Sequence, residues 1–398
     1  MSRFVRKTVT RHVIGRLGAA LVAILWMMQP HAGNAAGASI ETIAREAILM
    51  DVATGAILFE KDADQPMHPA SMSKMMTVHM LFDRLKEGSL SLDDTFTVSE
   101  HAWREGGAKS GSSTMFLMPG QRVRVEDLIR GIVIQSGNDA SIVVAEGLAS
   151  SEQVFAEQMT ARAHKLGLNH STFRNATGLP DPEHLTTAHD LALLAMETIR
   201  DFPEYYHYYS EKEFTYNGIK QGNRNPLLYL DMGVDGLKTG HTEASGYGLT
   251  ASAKRGDRRL VLVLNGLPSI KMRSRESERL LEWGFREFEN YKLFAAGDTV
   301  ADANVWLGRE KSVSLVTPKD LVVMLPRKAR GGMKVTATFD SPIAAPITKG
   351  DKLAKLVITA PDVAPIEVPL VAGASVERLG IFGRLGAALK YLLWGNAG

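Results

Sequence analysis

The chain has 398 residues, 45% of them hydrophobic and 23% charged, with a formal net charge of +2 and no cysteine. That length and balance indicate globular material for two or three domains and argue against a disordered chain. Without cysteine there are no thiol nucleophiles and no Cys-ligated metal.

The chain opens on a cationic stretch, an apolar core from Leu17 to Met28 and the small-residue run "AGNAAGA". This reads as a secretory signal over residues 1–36, cut near Ala35 or Ala36. A retained anchor is the other reading, but twelve apolar residues fall short of the roughly 20 that a spanning helix needs. The basic excess also lies in this leader, which holds Arg3, Arg6, Lys7, Arg11 and Arg16 and no acid. Without it 41 basic side chains face 44 acidic ones, a net charge of −3. A nucleic-acid protein would keep its basic excess in the folded part, so nucleic acid is not an expected partner.

From residue 37 to about 294 the pattern mixes strands and helices. "EAILMDVATGAILFEKD" predicts a hairpin turning at Thr54-Gly55. A mostly buried helix carrying Met72, Met75, Met76, Leu81, Phe82 and Leu85 follows, ended by Gly88. "VEDLIRGIVIQ" and "DASIVVAEGLA" predict two apolar helices separated by the polar break "SGN". Thr187 with Asp190 marks the capped start of a further helix that stops before Pro203. "GYGLTASAKRGDRRLVLVLNGL" predicts a hairpin with Gly256-Asp257 at its turn, and "SERLLEWGFREFENY" an amphipathic helix. Strands at both ends with helices between predict an α/β sandwich whose terminal segments share one antiparallel sheet.

Short β-rich runs broken by Gly, Pro and Asp predict a small β-sandwich domain over 295–372. Residues 373–398 end in "GIFGRLGAALKYLLWG", where Ile381, Phe382, Leu385, Leu389, Leu392 and Leu393 share one helical arc with Arg384 and Lys390 off it. The segment either packs on the preceding domain or lies in a membrane interface. Tyr391 and Trp394 beside the arc, and its place beyond a complete domain, favour the membrane.

Three short motifs carry chemistry. In "PASMSKMMT", Ser71 and Lys74 are three apart and share a helix face. A lysine desolvated among methionines loses basicity, and its neutral amine can take the serine proton. Alone the pattern is weak, since two fixed residues in four positions arise about once by chance in a chain of this length. "SGN" offers Ser136 as a proton relay and the Asn138 amide as a peptide-binding group, though the three residues also suit a helix stop and cap. Lys238, Thr239 and Gly240 precede the second hairpin, where a sheet edge lets a peptide lie against the backbone while ammonium and hydroxyl hold its carboxylate. A solvated edge lysine that deters aggregation is the alternative.

In this order, Ser-x-x-Lys, Ser-x-Asn and Lys-Thr-Gly are shared by penicillin-binding proteins and class A β-lactamases. With "QSGNDA", "VDGLKTGHT" and "RSRESERLLEWGF", the chain resembles the low-molecular-mass penicillin-binding proteins, the serine-type D-alanyl-D-alanine carboxypeptidases, over nearly all of its mature length. The resemblance implies a penicillin-recognising, transpeptidase-like α+β domain over 37–294, with an antiparallel sheet and a helical subdomain. The small all-β domain and the C-terminal amphipathic helix would follow it. Ser71 would be the acylated nucleophile, Lys74 its base and Ser136 a proton shuttle. Asn138 would bind the substrate backbone, Lys238 supply positive potential, and Thr239 with Arg273 hold the terminal carboxylate. The backbone N–H groups of Ser71 and His241 would form the oxyanion hole.

No cofactor is implied. The eleven histidines show no convincing metal pair, which disfavours a zinc carboxypeptidase. Peptidoglycan stem peptides would be the substrate, β-lactams covalent inhibitors, and the site of action the periplasm, with peripheral attachment to the inner membrane. A D,D-endopeptidase, a β-lactamase and a non-catalytic wall-binding scaffold are the alternatives. Gly137 stands where class A β-lactamases carry aspartate, and no segment resembles their deacylating glutamate loop, so fast penicillin hydrolysis is disfavoured. The sequon "NAT" at 175–177 is expected to be chance.

Overall fold

The computed structural model describes residues 40–383, 385 and 386, together with the backbone of Val5–Arg11. The expected leader lies outside the described residues, apart from that strand, and most of the expected terminal helix lies outside them as well.

Two units emerge, one spanning 40–285 and the other containing 286–398. In the first, strands β1 (Glu46–Asp51) and β2 (Ile57–Lys61) form the opening hairpin. Helices α1 (Lys74–Lys86), α2 (Val125–Val133), α3 (Asn138–Ala149), α4 (Glu152–Lys165) and α5 (Ala188–Asp201) follow. The chain then returns through β3 (Val234–Thr242), β4 (Gly246–Arg255) and β5 (Arg258–Leu267) to α6 (Ile270–Glu287). The sheet order is β2-β1-β5-β4-β3, so the two ends of the unit meet between β1 and β5, with Met50 opposite Val261.

Side chains on a strand alternate between faces, and here both faces are covered. Ile48, Met50, Val261 and Val263 join the core built by the intervening helices, whereas Leu49 and Leu260 meet α6 at Gly284. That double burial explains why β1 reads as a continuous apolar run. Strand β3 is left at an edge of the sheet.

Local signals set the helix ends. The Thr187 hydroxyl accepts from the Asp190 N–H at 3.0 Å, capping α5. The Asp190 carboxylate does not complete a reciprocal box; it accepts from Ser171 Oγ and from the His170 N–H instead.

The amphipathic helix expected to reach Tyr291 ends at Glu287. Phe288–Phe294 forms strand β6, paired antiparallel with Leu321–Pro326. Accordingly the chain divides at 285/286 rather than at 294. The partner strand lies about thirty residues away in sequence, beyond the reach of local periodicity, and it recruits the β-favouring aromatic residues Phe288, Tyr291 and Phe294 of "FENYKLF". Apart from a 3₁₀ turn at Arg327–Gly332 and helical backbone at 381–383, the described residues of the second unit beyond β6 lie in strands and loops. Strands such as Lys334–Ser341, Lys352–Ala360 and Val363–Ala372 enclose a core including Val335, Phe339, Leu356, Ile358 and Leu370. Val5–Arg11 pairs antiparallel with the edge of that sheet at Lys334–Ser341.

Candidate active site

The three motifs converge on one cleft of the first unit. Ser71 lies in a 3₁₀ turn, Ala70–Ser73, that leads into α1, with Lys74 as the first α-helical residue. Ala70 takes a positive φ of 49°, uncommon for a residue with a Cβ. Ser136 also has a positive φ, 62°, in the break between α2 and α3. Lys238, Thr239 and Gly240 lie on edge strand β3, which passes close to the Ser71 turn. A Cβ built on Gly240 would come 2.7 Å from the Pro69 carbonyl oxygen, so only glycine allows the approach.

Lys74 is fully buried. Its Nζ lies 3.1 Å from Ser71 Oγ, 2.6 Å from Asn138 Oδ1 and 2.5 Å from the Thr177 carbonyl oxygen. Burial, assisted by the positive charge of Arg224, lowers its pKa to about 7 against the opposing pull of Glu152 and Asp139. A neutral amine has two N–H donors and one lone pair. The Asn138 and Thr177 oxygens can only accept, so the two donors go to them and the lone pair is left for the Ser71 hydroxyl. The surroundings therefore both neutralise Lys74 and aim it.

Lys238, also buried, has its Nζ 3.0 Å from Ser136 Oγ and 3.2 Å from the Thr239 carbonyl. Burial first, then Lys74, Arg224 and Arg273, pushes its pKa well below the ordinary lysine value. Lys238, Arg224 and Arg273 thus share one cleft with Lys74, an arrangement suited to an incoming anion, whose arrival would favour the charged form of Lys238.

The remaining expected residues gather around this centre. Arg273, on α6, is buried, with its guanidinium carbon 5.9 Å from the Tyr247 ring centroid; its Nε has no hydrogen-bond partner among the described residues. His241, at the exposed end of β3, stacks on Tyr247 with centroids 3.9 Å apart. The Asn138 amide, expected to meet the substrate backbone, is engaged at both ends: its oxygen by Lys74 and its nitrogen by Ser112 Oγ at 2.9 Å.

Several contributors escaped the motif reading. Thr177 acts through its carbonyl, to which no sequence pattern points. Arg224 sits in a loop and donates to Ser113 Oγ. Asn175, whose sequon was expected to be chance, organises the Thr177 loop: Asn175 Oδ1 accepts from the N–H groups of Thr177, Gly178 and Leu179 at 3.1, 2.7 and 3.2 Å. Among the described residues no group of three or more His, Cys, Asp or Glu side chains is placed to hold a metal ion.

Residues 32–268 match the family model described as D-alanyl-D-alanine carboxypeptidase, and residues 288–378 match that of the penicillin-binding protein 5 C-terminal domain. The chain is 41% identical over 345 residues to the D-alanyl-D-alanine carboxypeptidase DacC of Escherichia coli K12, covering 86% of each. It is 39% identical over 343 residues to DacA of Haemophilus influenzae, covering 85% of this chain and 86% of that one. The crystal structure of penicillin-binding protein 5 from Haemophilus influenzae superposes with a TM-score of 0.78 at 36% identity, covering 89% of this chain and 100% of that one. Penicillin-binding protein D2 of Listeria monocytogenes in its ampicillin-bound form gives 0.54 at 29% identity, covering 62% of this chain and 99% of that one. A converging Ser71–Lys74 pair, a cationic cleft and a family match over more than half its length lead to one assignment: the chain belongs to the D-alanyl-D-alanine carboxypeptidase family.

Proposed function

We propose that this D-alanyl-D-alanine carboxypeptidase removes the terminal D-alanine from peptidoglycan stem pentapeptides through an acyl-enzyme on Ser71. Ser71 Oγ bonds to the carbonyl carbon of the penultimate D-alanine while its proton passes to neutral Lys74. The N–H groups of Ser71 and His241 receive the developing oxyanion. As the C–N bond breaks, the leaving amine takes a proton relayed through Ser136, which is hydrogen-bonded to Lys238. Water then attacks the ester with Lys74 as base, freeing the shortened peptide and Ser71. Lys238, Thr239, Arg273 and Arg224 hold the terminal carboxylate, and Gly240 lets β3 lie close enough to align the peptide.

The observation that carries this reading is the lone pair of Lys74, left for Ser71 by two obligate acceptors. The test is labelling of the mature protein with a fluorescent penicillin, mapping of the adduct by peptide mass, and measurement of D-alanine release from a pentapeptide. A label on any residue but Ser71, or none on folded protein, rejects the assignment. The ampicillin-bound form of the Listeria relative supports the choice of probe, and β-lactams are the expected covalent inhibitors.

The enzyme would act in the periplasm, exported by the leader over 1–36 and attached to the inner membrane through residues 373–398. Ile381, Phe382 and Leu385 are 66%, 90% and 64% exposed, which supports an apolar face available to a lipid surface. Among the described residues no helix is long and apolar enough to cross a membrane. Deleting 380–398 should release the mature protein from membranes without lowering activity on soluble peptide; continued sedimentation with membranes would defeat the anchor.

A further inference from the structure

Two buried asparagines, Asn223 and Asn225, flank Arg224 in the chain, with exposures of 6% and 1%. We propose that they are positioning residues for carboxylate recognition: Asn225, steadied by Asn223, fastens the loop that carries Arg224 to edge strand β3, so that Arg224 and Lys238 meet the substrate's terminal carboxylate at a fixed spacing. The inference rests on the reading of this cleft as the one that holds that carboxylate.

Hydrogen-bond direction argues first. Asn225 Nδ2 donates to the Gly236 carbonyl at 2.9 Å, and Asn225 Oδ1 accepts from the Leu227 N–H at 3.1 Å. A carbonyl only accepts and an N–H only donates, so this amide has one orientation and both of its ends are committed to backbone. Oδ1 caps the 3₁₀ turn Pro226–Tyr229, whereas Nδ2 crosses to another segment. The Asn225 N–H donates in turn to Asn223 Oδ1 at 3.0 Å, and Asn223 Nδ2 donates to the Glu211 carbonyl at 3.0 Å. The backbone on either side of Arg224 is therefore held by buried bonds, and cutting one leaves a buried polar group unpaired.

Reach argues second. Gly236 lies two residues before Lys238 on β3, where pairing with β4 shifts register between Val234 and Gly236. Asn225 thus adds a bond to the strand where the ladder to β4 is irregular. From this anchorage the Arg224 guanidinium donates to Ser113 Oγ, its charge lowers the pKa of both Lys74 and Lys238, and its carbonyl oxygen lies 3.5 Å from Arg273 Nη2. The other three cations of the cleft are each touched or felt by this one residue. An arginine whose backbone is already fixed has fewer conformations to lose when an anion arrives, which tightens binding without a new contact.

The experiment, on the full mature chain, compares D-alanine release from Nα,Nε-diacetyl-lysyl-D-Ala-D-Ala with hydrolysis of the S-ethyl thioester of Nα,Nε-diacetyl-lysyl-D-alanine, whose leaving group carries no carboxylate. Asn225→Ser keeps an oxygen that can cap the 3₁₀ turn but is too short to donate to Gly236. It should lower the ratio of peptide to thioester kcat/KM by about tenfold, through KM rather than kcat, the scale of one hydrogen bond to a charged group. In an Arg224→Ala background the same substitution should change the ratio by less than about twofold, because the group it positions is gone. A purely structural role would slow both substrates together; an unchanged ratio in Asn225→Ser, or full additivity with Arg224→Ala, overturns the inference. Asn223→Ala, at the other end of the bracket, should lower the same ratio, and it decides the matter if Asn225→Ser does not fold. If Arg224→Ala itself leaves the ratio unchanged, or the wild type hydrolyses the thioester but releases no D-alanine from the peptide, the reading of the cleft fails and the inference falls with it.

Discussion

His184 Nε2 lies 2.8 Å from Ser73 Oγ, under the turn that carries Ser71. Ser73 spends its own proton on the Ala70 carbonyl at 2.9 Å, so the imidazole must be the donor between them. His184 Nδ1 is then the acceptor, and it faces the Arg174 N–H at 3.3 Å. All three contacts agree on one neutral tautomer, which pins Ala70–Ser73 from below.

His184→Leu should therefore slow penicillin acylation of Ser71 by about tenfold, the scale of one buried hydrogen bond. His184→Gln, whose amide N–H can stand in for Nε2–H, should keep most of the rate. The acylation rate is read beside the thermal midpoint. Equal acylation by the two variants would show that the contact supports the fold without positioning the nucleophile.

Burial lowers the pKa of His184 to about 4, and that of His79 likewise to about 4. Between that value and the ordinary histidine pKa of about 6.5 the unfolded chain binds the extra protons, so stability rises with pH across this window. As pH falls through it, each group withdraws roughly 3 kcal/mol at most. Urea unfolding at pH 7, 6, 5 and 4 should show the loss. His79→Phe, which keeps an aromatic ring against Phe202, should flatten it, and an unchanged slope would remove His79 from the account.

Acylation should also follow the ionisation of Lys74. With a pKa of about 7 and the neutral amine as the active form, the rate climbs through neutrality and falls about tenfold per unit well below it. Lys74→Arg places a group that does not deprotonate at the same position, and should lower acylation by about 10²- to 10⁴-fold. A flat profile between pH 5 and 9 would contradict a neutral lysine base.

Arg273 brings to the cationic cleft a buried Nε that has no hydrogen-bond partner among the described residues. Arg273→Ala should lower kcat/KM for a D-Ala-D-Ala peptide by roughly 10- to 100-fold, mostly through KM, the scale of a hydrogen bond to a charged group. A substrate with an amidated C-terminus should lose much less. Equal losses for both substrates would separate Arg273 from carboxylate recognition.

The local elements were legible because short-range chemistry specifies them. Ser71 and Lys74 are three apart, the "SGN" break lies between two apolar runs, and the hairpin at Gly256-Asp257 carries its own turn residues. The Phe288–Phe294 strand was misread as helix because its partner is distant.

Much of what surrounds Lys74 could not be read this way. The Thr177 carbonyl is 103 positions from Lys74, and His184 is 111 from Ser73. Neither acts through a residue type that marks the role, since one contributes its backbone and the other sits in a loop. The sequence by itself determined which groups could react: a hydroxyl, an amine one turn away and a lysine on a strand, because composition and spacing are local properties. Only the tertiary structure decided that the amine would lie out of water with its two N–H bonds taken. Desolvation and hydrogen-bond direction depend on segments that meet only when the chain has folded.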